Sequence, residues 1–249
     1  METKKKEKTK IDIILPNYNS SQFIIKTINS ILKQTYKNWK LIIVDDFSDK
    51  KTKKILKKIS KNKNIKVFFL NKNHGAGFCR NFAIKKSKSP YLAFIDSDDT
   101  WEKDKLKKQI NFMKKNNFSF SYTDYKTFGN KKRKVDNPSK LNYFDFLRNT
   151  SIATSTMMIK RDLIGNIKFT NTKICEDFFF KCRLLQKVGH AFCLDQYLTN
   201  YRIRKNSLQS NNLRNFYWIW KINKNYNKLN IIDNFISLLF ISINSLKKY

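Results

Sequence analysis

The chain has 249 residues, 41% hydrophobic and 14% aromatic, which is enough to bury a sizeable core and excludes a disordered polypeptide. With 52 Lys and Arg against 19 Asp and Glu, the net charge is +33, which predicts attraction to phosphate groups of nucleotides, nucleic acids or lipid headgroups. The four cysteines lack metal-binding or disulfide-framework spacing, and the basic residues 1–10 lead into a strand rather than an apolar leader, so we expect a cytoplasmic protein.

Strand and helix patterns alternate through the first part of the chain. Nearly uniform apolar runs predict strands at 11–15, 39–44, 65–70 and 91–95. Each is followed by a helical pattern, and we expect the first helix to begin at a Ser20 or Ser21 cap and to end near Gln34. Strands that are apolar on both faces and alternate with helices predict an α/β fold, with a mostly parallel central sheet covered by helices on both sides.

Polar side chains gather where the predicted strands end. They are Tyr18 and Asn19, Asp45 and Asp46, Asn73 and Gly75, and Asp96 and Asp98. Because crossover connections of one hand bring the carboxyl ends of parallel strands to one edge of the sheet, these residues converge on one crevice. We expect a nucleobase to stack there on Tyr18 and to hydrogen-bond to Asp45 or Asp46. Arg80, near a helix start, is suited to a phosphate oxygen.

The stretch YLAFIDSDDTW, residues 91–101, brings three carboxylates to the end of one buried strand. Asp96, Asp98 and Asp99 repel one another, and a divalent cation with oxygen ligands would relieve that repulsion. The alternative is helix capping by Asp99 or Thr100, which explains one acid well and three poorly. A metal at Asp98 would be placed to hold a diphosphate.

The second half is less regular. We predict an amphipathic helix to about residue 116, an alternating strand at 118–125, a strand at 151–160, a helix from 174 to about 188 and a strand at 193–198. Glu176 and Asp177 lie at the start of that last helix, where the helix dipole favours acids. The functional alternative is that Asp177 is a general base.

The last segment differs in character from the rest. Residues 216–220 are aromatic and apolar and lie among lysines, and 231–246 is apolar with one polar side. Aromatic rings beside lysines suit peripheral contact with an anionic inner-membrane surface, and the alternative is a pair of helices that pack on the sheet domain. We therefore expect a basic tail (1–10), a domain (11–210) with a nucleotide-binding half (11–101) and an acceptor-side half (102–210), and a helical extension (211–249).

Six motifs together resemble the inverting family 2 glycosyltransferases of the GT-A fold, over residues 11–207. They are ILPNYN (14–19), QTYKNWKLIIVDDFSD (34–49), NHGAGFCRN (73–81), YLAFIDSDDTW (91–101), CED (175–177) and YRIRKNS (201–207). The resemblance implies a nucleotide-diphosphate sugar donor, with a UDP-sugar expected, and a divalent cation, Mn²⁺ or Mg²⁺. It also implies a hydroxyl acceptor on a bacterial cell-surface glycan or a lipid-linked oligosaccharide.

The resemblance also implies roles for individual residues. Asp98 would hold the metal, Asp96 the ribose, and Asp177 would be the catalytic base. The remaining donor-binding residues would be Pro16, Tyr18, Asn19, Asp45, Asp46, Arg80 and Ser97, and contacts to the diphosphate or acceptor would come from Glu176, Arg202 and Arg204. Many relatives carry a histidine, a candidate metal ligand, where this chain has Arg204.

Two other functions remain open from the residues alone. A sugar-phosphate nucleotidyltransferase would need a Gly-rich basic loop after the first strand, and PNYNSS is not such a loop. A nucleic-acid-binding protein would account for the charge, but the lysines are spread along the chain and no nucleic-acid module is recognised, so we expect no specific nucleic-acid partner. GAGFCR, residues 75–80, matches only half of the dinucleotide-binding fingerprint.

Overall fold

The computed structural model describes residues 9–204 and 212–248, and its first half is a parallel α/β unit. Its strands are β1 (Ile11–Asn17), β2 (Trp39–Asp45), β3 (Ile65–Phe69) and β4 (Tyr91–Phe94), and its helices are α1 (Ile24–Leu32), α2 (Lys50–Ile59) and α3 (Ala76–Lys86). β1 pairs in parallel with β2 and β4, and β2 with β3. The predicted strands therefore all form, in the spatial order β3-β2-β1-β4.

The second half extends this sheet with shorter pieces. Its strands are β5 (Thr100–Trp101), β6 (Phe120–Gly129), β7 (Arg133–Val135), β8 (Lys140–Leu141), β9 (Met158–Lys160) and β10 (Ala191–Ile203). Its helices are α4 (Lys105–Lys115), α5 (Tyr143–Asn149), α6 (Arg161–Ile164) and α7 (Glu176–Val188). The sheet continues from β4 in the order β9-β6-β10-β5, with β7 on β6 and β8 on β10. In the described ranges the six longer strands share one direction, and β5, β7, β8 and β9 oppose them.

Both faces of the sheet are covered, as the apolar strands require. Along β1, Ile11, Ile13 and Leu15 belong to one buried cluster and Ile14 to a second cluster on the other side. All seven residues of β1 are buried. Because a strand buried on both faces is mostly apolar, nearly uniform apolar runs were the correct signal for β1, β2 and β4.

Three local predictions were wrong in detail. Within 151–160, only Met158–Lys160 is a strand, because Thr154–Thr156 forms a 3-10 turn. β6 begins at Phe120 rather than at residue 118 and is buried on both faces over its first six residues, since it lies inside the sheet. The helix α1 begins at Ile24, and Ser20 does not cap it because the Ser20 hydroxyl donates to Asn17 Oδ1.

Two C-terminal helices, α8 (Asn212–Asn225) and α9 (Ile231–Lys248), pack against the domain. Ile219, Ile222 and Ile241 are buried in the larger core cluster together with β4, β6 and α7 residues. Ser237 Oγ donates to the Leu147 carbonyl of α5 at 2.6 Å. No helix in the described part of the chain is long and apolar enough to cross a membrane.

Candidate functional site

The carboxyl ends of β1 and β2 are joined by a buried polar network. Asn17 Nδ2 donates to Asp45 Oδ1 at 2.7 Å, and the Ser48 backbone N–H donates to Asp45 Oδ2 at 3.2 Å. Asp45 is fully buried, so its carboxylate, with both oxygens engaged, fixes the turn after β2. Asn19 extends the network, because its backbone N–H donates to Ser48 Oγ and its Oδ1 accepts from the Asp49 backbone N–H.

Asp46 holds the start of α3 in place. Its two carboxylate oxygens accept the backbone N–H groups of His74 at 2.8 Å and Gly75 at 2.7 Å. Gly75 has φ +90°, a conformation that glycine adopts without strain. Asp45 and Asp46, which were predicted to bind the nucleobase, thus form hydrogen bonds to groups within the protein. The exposed groups at this edge are the rings of Tyr18 and Phe47, each about half exposed, while Pro16 is buried.

Arg80 of α3 joins the two halves of the domain. Its guanidinium lies 2.7 Å from Asp96, which follows β4, and 2.5 Å from Glu176, the first residue of α7. Burial disfavours a charged guanidinium, but Asp96, Glu176 and Asp177 outweigh burial and raise the pKa of Arg80. Arg80 is therefore a permanent cation between these carboxylates. Phe169 lies under the guanidinium at 5.3 Å.

Asp98 and Asp99, beyond the end of β4, have different partners. Asp99 is buried and accepts from Ser155 Oγ at 2.6 Å and from the Arg202 backbone N–H at 2.8 Å. Asp98 pairs with the half-exposed Arg204, whose Nε lies 2.9 Å from Asp98 Oδ2. Burial, together with the neighbouring acids, raises the pKa of both carboxyl groups. The charged form of these two carboxyl groups is therefore disfavoured, mainly by burial.

Asp177, the second residue of α7, has the opposite environment. Lys181 Nζ, one turn further along α7, and Thr154 Oγ1 each donate to Asp177 Oδ2 at 2.5 Å. Burial opposes ionisation, yet Lys181, Arg80 and these hydrogen bonds lower the pKa of Asp177. The side chain stays partly accessible, at 18% exposure. In residues 9–204 and 212–248, the side-chain hydrogen bonds to this carboxylate both end at Oδ2, which leaves Oδ1 to accept a proton.

The remaining predicted residues lie around this edge. Ser97 is partly buried, and its carbonyl accepts from Thr27 Oγ1 at 3.0 Å. Arg202 Nε donates to the Asp98 carbonyl at 3.0 Å, so both Arg202 and Arg204 lie at the acidic turn after β4. Tyr18, Asn19, Asp46, Arg80 and Asp98 all follow or face the carboxyl ends of parallel strands, as the topology predicted.

Sequence reasoning missed three residues of the site, Thr154, Ser155 and Lys181. The spacing of Lys181 from Asp177 was a usable signal, since residues four apart share a helix face. Thr154 and Ser155 lie in the turn that was predicted to be a strand, and only the tertiary fold brings them to Asp177 and Asp99. No local pattern marks such contacts.

The acidic turn fits a hard divalent cation in its chemistry. Asp98 offers carboxylate oxygens, which Mn²⁺ and Mg²⁺ prefer. Burial, and then Asp96, raise the pKa of Asp98, and a bound cation would favour its ionised form. Among the described residues there is no group of three or more His, Cys, Asp or Glu side chains arranged to hold a metal. A cation at Asp98 would therefore need ligands besides these side chains.

The fold, with acidic side chains at the carboxyl ends of its parallel strands, is that of the GT-A glycosyltransferases, and comparisons with known proteins establish the class. The family model for glycosyl transferase family 2 matches residues 12–179. The chain therefore belongs to glycosyl transferase family 2 and is an enzyme of that class. Family membership removes the nucleotidyltransferase and nucleic-acid-binding alternatives.

Two relatives share most of the sequence. The chain is 34% identical, over 96% of both chains, to the putative teichuronic acid biosynthesis glycosyltransferase TuaG of Bacillus subtilis. It is 33% identical, over 85% of its own length and 84% of the relative, to WfgD of Escherichia coli, a UDP-Glc:alpha-D-GlcNAc-diphosphoundecaprenol beta-1,3-glucosyltransferase.

Two solved structures share the fold. The structure of S. aureus TarS 1-349 in complex with UDP-GlcNAc superposes with a TM-score of 0.75 at 23% identity and covers 96% of this chain and 73% of TarS 1-349. The mannosyltransferase PcManGT of Pyrobaculum calidifontis, in complex with GDP-Man and Mn²⁺, superposes with a TM-score of 0.72 at 13% identity, over 97% of this chain and 74% of PcManGT. At these identities the likeness establishes the GT-A fold alone.

Proposed function

We propose that the chain transfers a sugar from a UDP-sugar to a hydroxyl of a lipid-linked cell-surface glycan with inversion, Asp177 being the general base and Asp98 the metal ligand. The observation that carries this proposal is the pair of contrasting carboxylates at one sheet edge. Lys181 keeps Asp177 ionised against the effect of burial, whereas burial and Asp96 raise the pKa of Asp98. The relative WfgD, named for UDP-Glc and a diphosphoundecaprenol acceptor, supports the donor and acceptor classes.

The reaction requires one proton transfer and one bond exchange. The acceptor hydroxyl gives its proton to Asp177 Oδ1 while its oxygen bonds to the anomeric carbon. The bond from that carbon to the diphosphate oxygen breaks, and its electron pair leaves with the nucleoside diphosphate. Attack from the side opposite the leaving group inverts the configuration.

Different residues at the site would carry out different parts of this reaction. Thr154 and Lys181 hold Asp177 by Oδ2, so that Oδ1 can face the acceptor. A divalent cation held by Asp98 and by phosphate oxygens of the donor would stabilise charge on the leaving diphosphate. Tyr18 offers an exposed ring for the base, and Arg80 orders Asp96 beside the ribose position.

Donor binding can be tested by thermal unfolding with UDP, GDP, CMP and dTDP, each with Mn²⁺ or with EDTA. A ligand at a hundred times its Kd adds about 2.7 kcal/mol, which is several degrees for a chain of this length. We expect UDP with Mn²⁺ to stabilise the wild type and Asp177→Asn, and the effect to be lost in Asp98→Asn and with EDTA. The exposed Asp162 of α6 supplies the control, because Asp162→Asn should behave like the wild type.

The turnover rate tests the role of Asp177 as the base independently of donor binding. Because a positioned base contributes about 10²- to 10⁴-fold, Asp177→Asn should lower the transfer rate at least about a hundredfold while it still binds UDP. Normal turnover in Asp177→Asn would remove this residue from the mechanism. Stabilisation by UDP that persists in Asp98→Asn and with EDTA would remove the metal from Asp98.

A further inference from the structure

Helix α9 carries apolar side chains on two opposite faces. Its inner face packs on the domain, where Ile241 is buried with Asn234 and Ser237. The side chains of Ile231, Phe235, Leu239 and Ile243 recur every four residues, so they lie along one side of the helix, and all four are exposed. A helix on a protein surface normally places polar residues on its outer side. The outer side of α9 therefore requires an explanation.

The exposed apolar surface extends from α9 onto α5. Ile232, at 71% exposure, and Phe240 widen it on α9. The Arg148 guanidinium of α5 lies 5.4 Å from the Phe240 ring, and Phe144, one turn before Arg148, is 66% exposed. We name this surface the outer face, and it comprises Phe144, Ile231, Ile232, Phe235, Leu239, Phe240 and Ile243. Contiguous apolar patches of this kind mark interaction sites rather than ordinary surface.

The charges of the C-terminal segment that carries the outer face favour one kind of partner. Residues 212–248 contain six Lys and Arg and a single acid, Asp233. Lys221, Lys224 and Lys228 are exposed, and Lys221 Nζ lies 4.7 Å from the Tyr217 ring. An anionic bilayer matches this combination, since apolar side chains enter the acyl boundary while ammonium groups meet lipid phosphates. A second copy of a chain with a net charge of +33 would instead bring like charges together.

The docking of α9 on the domain determines how it could meet a bilayer. Ser237 Oγ donates to the Leu147 carbonyl, and Asn244 Nδ2 donates to the Arg148 carbonyl at 3.0 Å. These bonds hold the inner face of α9 against α5. We propose that the outer face docks on the surface of an anionic phospholipid bilayer, with α9 lying in the interface plane.

Helix α5 connects α9 with the start of α7. On α5, against which α9 packs, the Phe146 ring lies 5.5 Å from the ring of Phe178, the residue after Asp177. The chain then continues from α5 to Thr154, which donates to Asp177. Bilayer docking itself does not depend on the proposed reaction and is measured without donor or acceptor.

The test is flotation of the full chain with vesicles of phosphatidylcholine that either contain phosphatidylglycerol or lack it. Wild type should float with the anionic vesicles, less so at high salt, and weakly with phosphatidylcholine alone. The double variant Phe235→Ser/Leu239→Ser should lower partition into anionic vesicles at least about tenfold, because two large apolar side chains leave the interface. Circular dichroism and thermal unfolding without ligand check that the variant is folded.

A matched pair controls for the general loss of exposed apolar area. Ile25 and Leu32 lie on α1, are exposed at 49% and 38%, and are outside the outer face, so Ile25→Ser/Leu32→Ser should float like wild type. Equal flotation of Phe235→Ser/Leu239→Ser and wild type would overturn the proposal, as would failure of wild type to bind anionic vesicles. It would also be overturned by a wild-type dimer that sedimentation shows to dissociate in Phe235→Ser/Leu239→Ser.

Discussion

The turn after β4 and the start of α7 both present carboxylates at one edge of the sheet, but in contrasting electrostatic states. After β4, burial and neighbouring acids raise the pKa of Asp98 and Asp99. At the start of α7, Lys181 and Arg80 overcome burial and lower the pKa of Asp177. The cation beside Asp98 is the half-exposed Arg204, whereas the cation beside Asp177 is the buried Lys181. The same residue type therefore has a raised pKa in one region and a lowered pKa in the other, because its neighbours differ.

The cation shared by the two regions is Arg80, and its removal should have the largest effect on stability. Arg80→Met would leave Asp96 and Glu176 without their buried partner, which typically costs about 3 to 5 kcal/mol. Chemical denaturation measures the change in the free energy of unfolding. Arg183→Met, on the exposed side of α7, should change this free energy by less than about 0.5 kcal/mol. A loss below about 1 kcal/mol in Arg80→Met would mean that the bridge is dispensable.

Lys181→Met would remove the cation that contacts Asp177, so the electrostatic environment of Asp177 should become more like that of Asp98. The lowered pKa of Asp177 gives the native state stability that is present above the unfolded-state pKa near 3.9 and is lost as the pH falls through the lower folded value. In Lys181→Met that pKa should rise, so the acid limb of the turnover profile should move to higher pH.

We expect turnover in Lys181→Met to fall roughly tenfold near pH 6, because less of the base is ionised and Asp177 is less well oriented. Lys187→Met, near the end of the same helix, should keep the wild-type pH profile. An unchanged acid limb in Lys181→Met would show that Lys181 does not set the ionisation of Asp177.

Lys105 should give the smallest effect and provides an independent check, because it is a buried cation that has no ion-pair partner among the carboxylates of residues 9–204 and 212–248. Its Nζ donates to Gln109 Oε1 at 2.7 Å and lies over the Trp101 ring at 4.2 Å. Burial lowers the pKa of Lys105 from 10.5 to about 7, so between these values the unfolded chain binds more protons and stability should rise with pH.

Lys105→Met should abolish the part of the rise in stability between pH 7 and pH 10.5 that comes from Lys105. It should also stabilise the protein at pH 7 by about 1 kcal/mol, because a buried charge is removed. Denaturant unfolding at pH 7 and pH 10 measures both effects. Lys103→Met, an exposed neighbour, should leave the pH dependence as it is. If Lys105→Met kept the wild-type slope, burial alone would not account for the shift.

The first half of the fold was predictable because its signals are local. β1, β2 and β4 are apolar on both faces, and the topology of parallel strands then brings their carboxyl ends together. The acids at 45, 46, 96 and 98 could therefore be assigned to one edge before any coordinates were known. Their partners could not be assigned in the same way.

Partners at the site come from distant segments. Nothing in NHGAGFCRN indicates that Arg80 would bridge to Glu176, which lies 96 residues away, instead of facing a ligand directly. The Ser and Thr residues of SIATST favour no single structure, and their turn forms because Thr154 and Ser155 satisfy buried acids. Such choices depend on tertiary packing, which a pattern of residue types does not encode.

Gly77 of α3 has a consequence for protein engineering. A Cβ atom at this position would lie 2.3 Å from the Thr170 carbonyl oxygen and 3.1 Å from Glu176 Cγ. Any residue larger than glycine would therefore push α3 away from the segment that leads into α7. A chimaera that combined the first half of this domain with the second half of a relative would have to keep glycine at 77 and a backbone of the same course at 170. The unit that can be exchanged between relatives is accordingly larger than the second half alone.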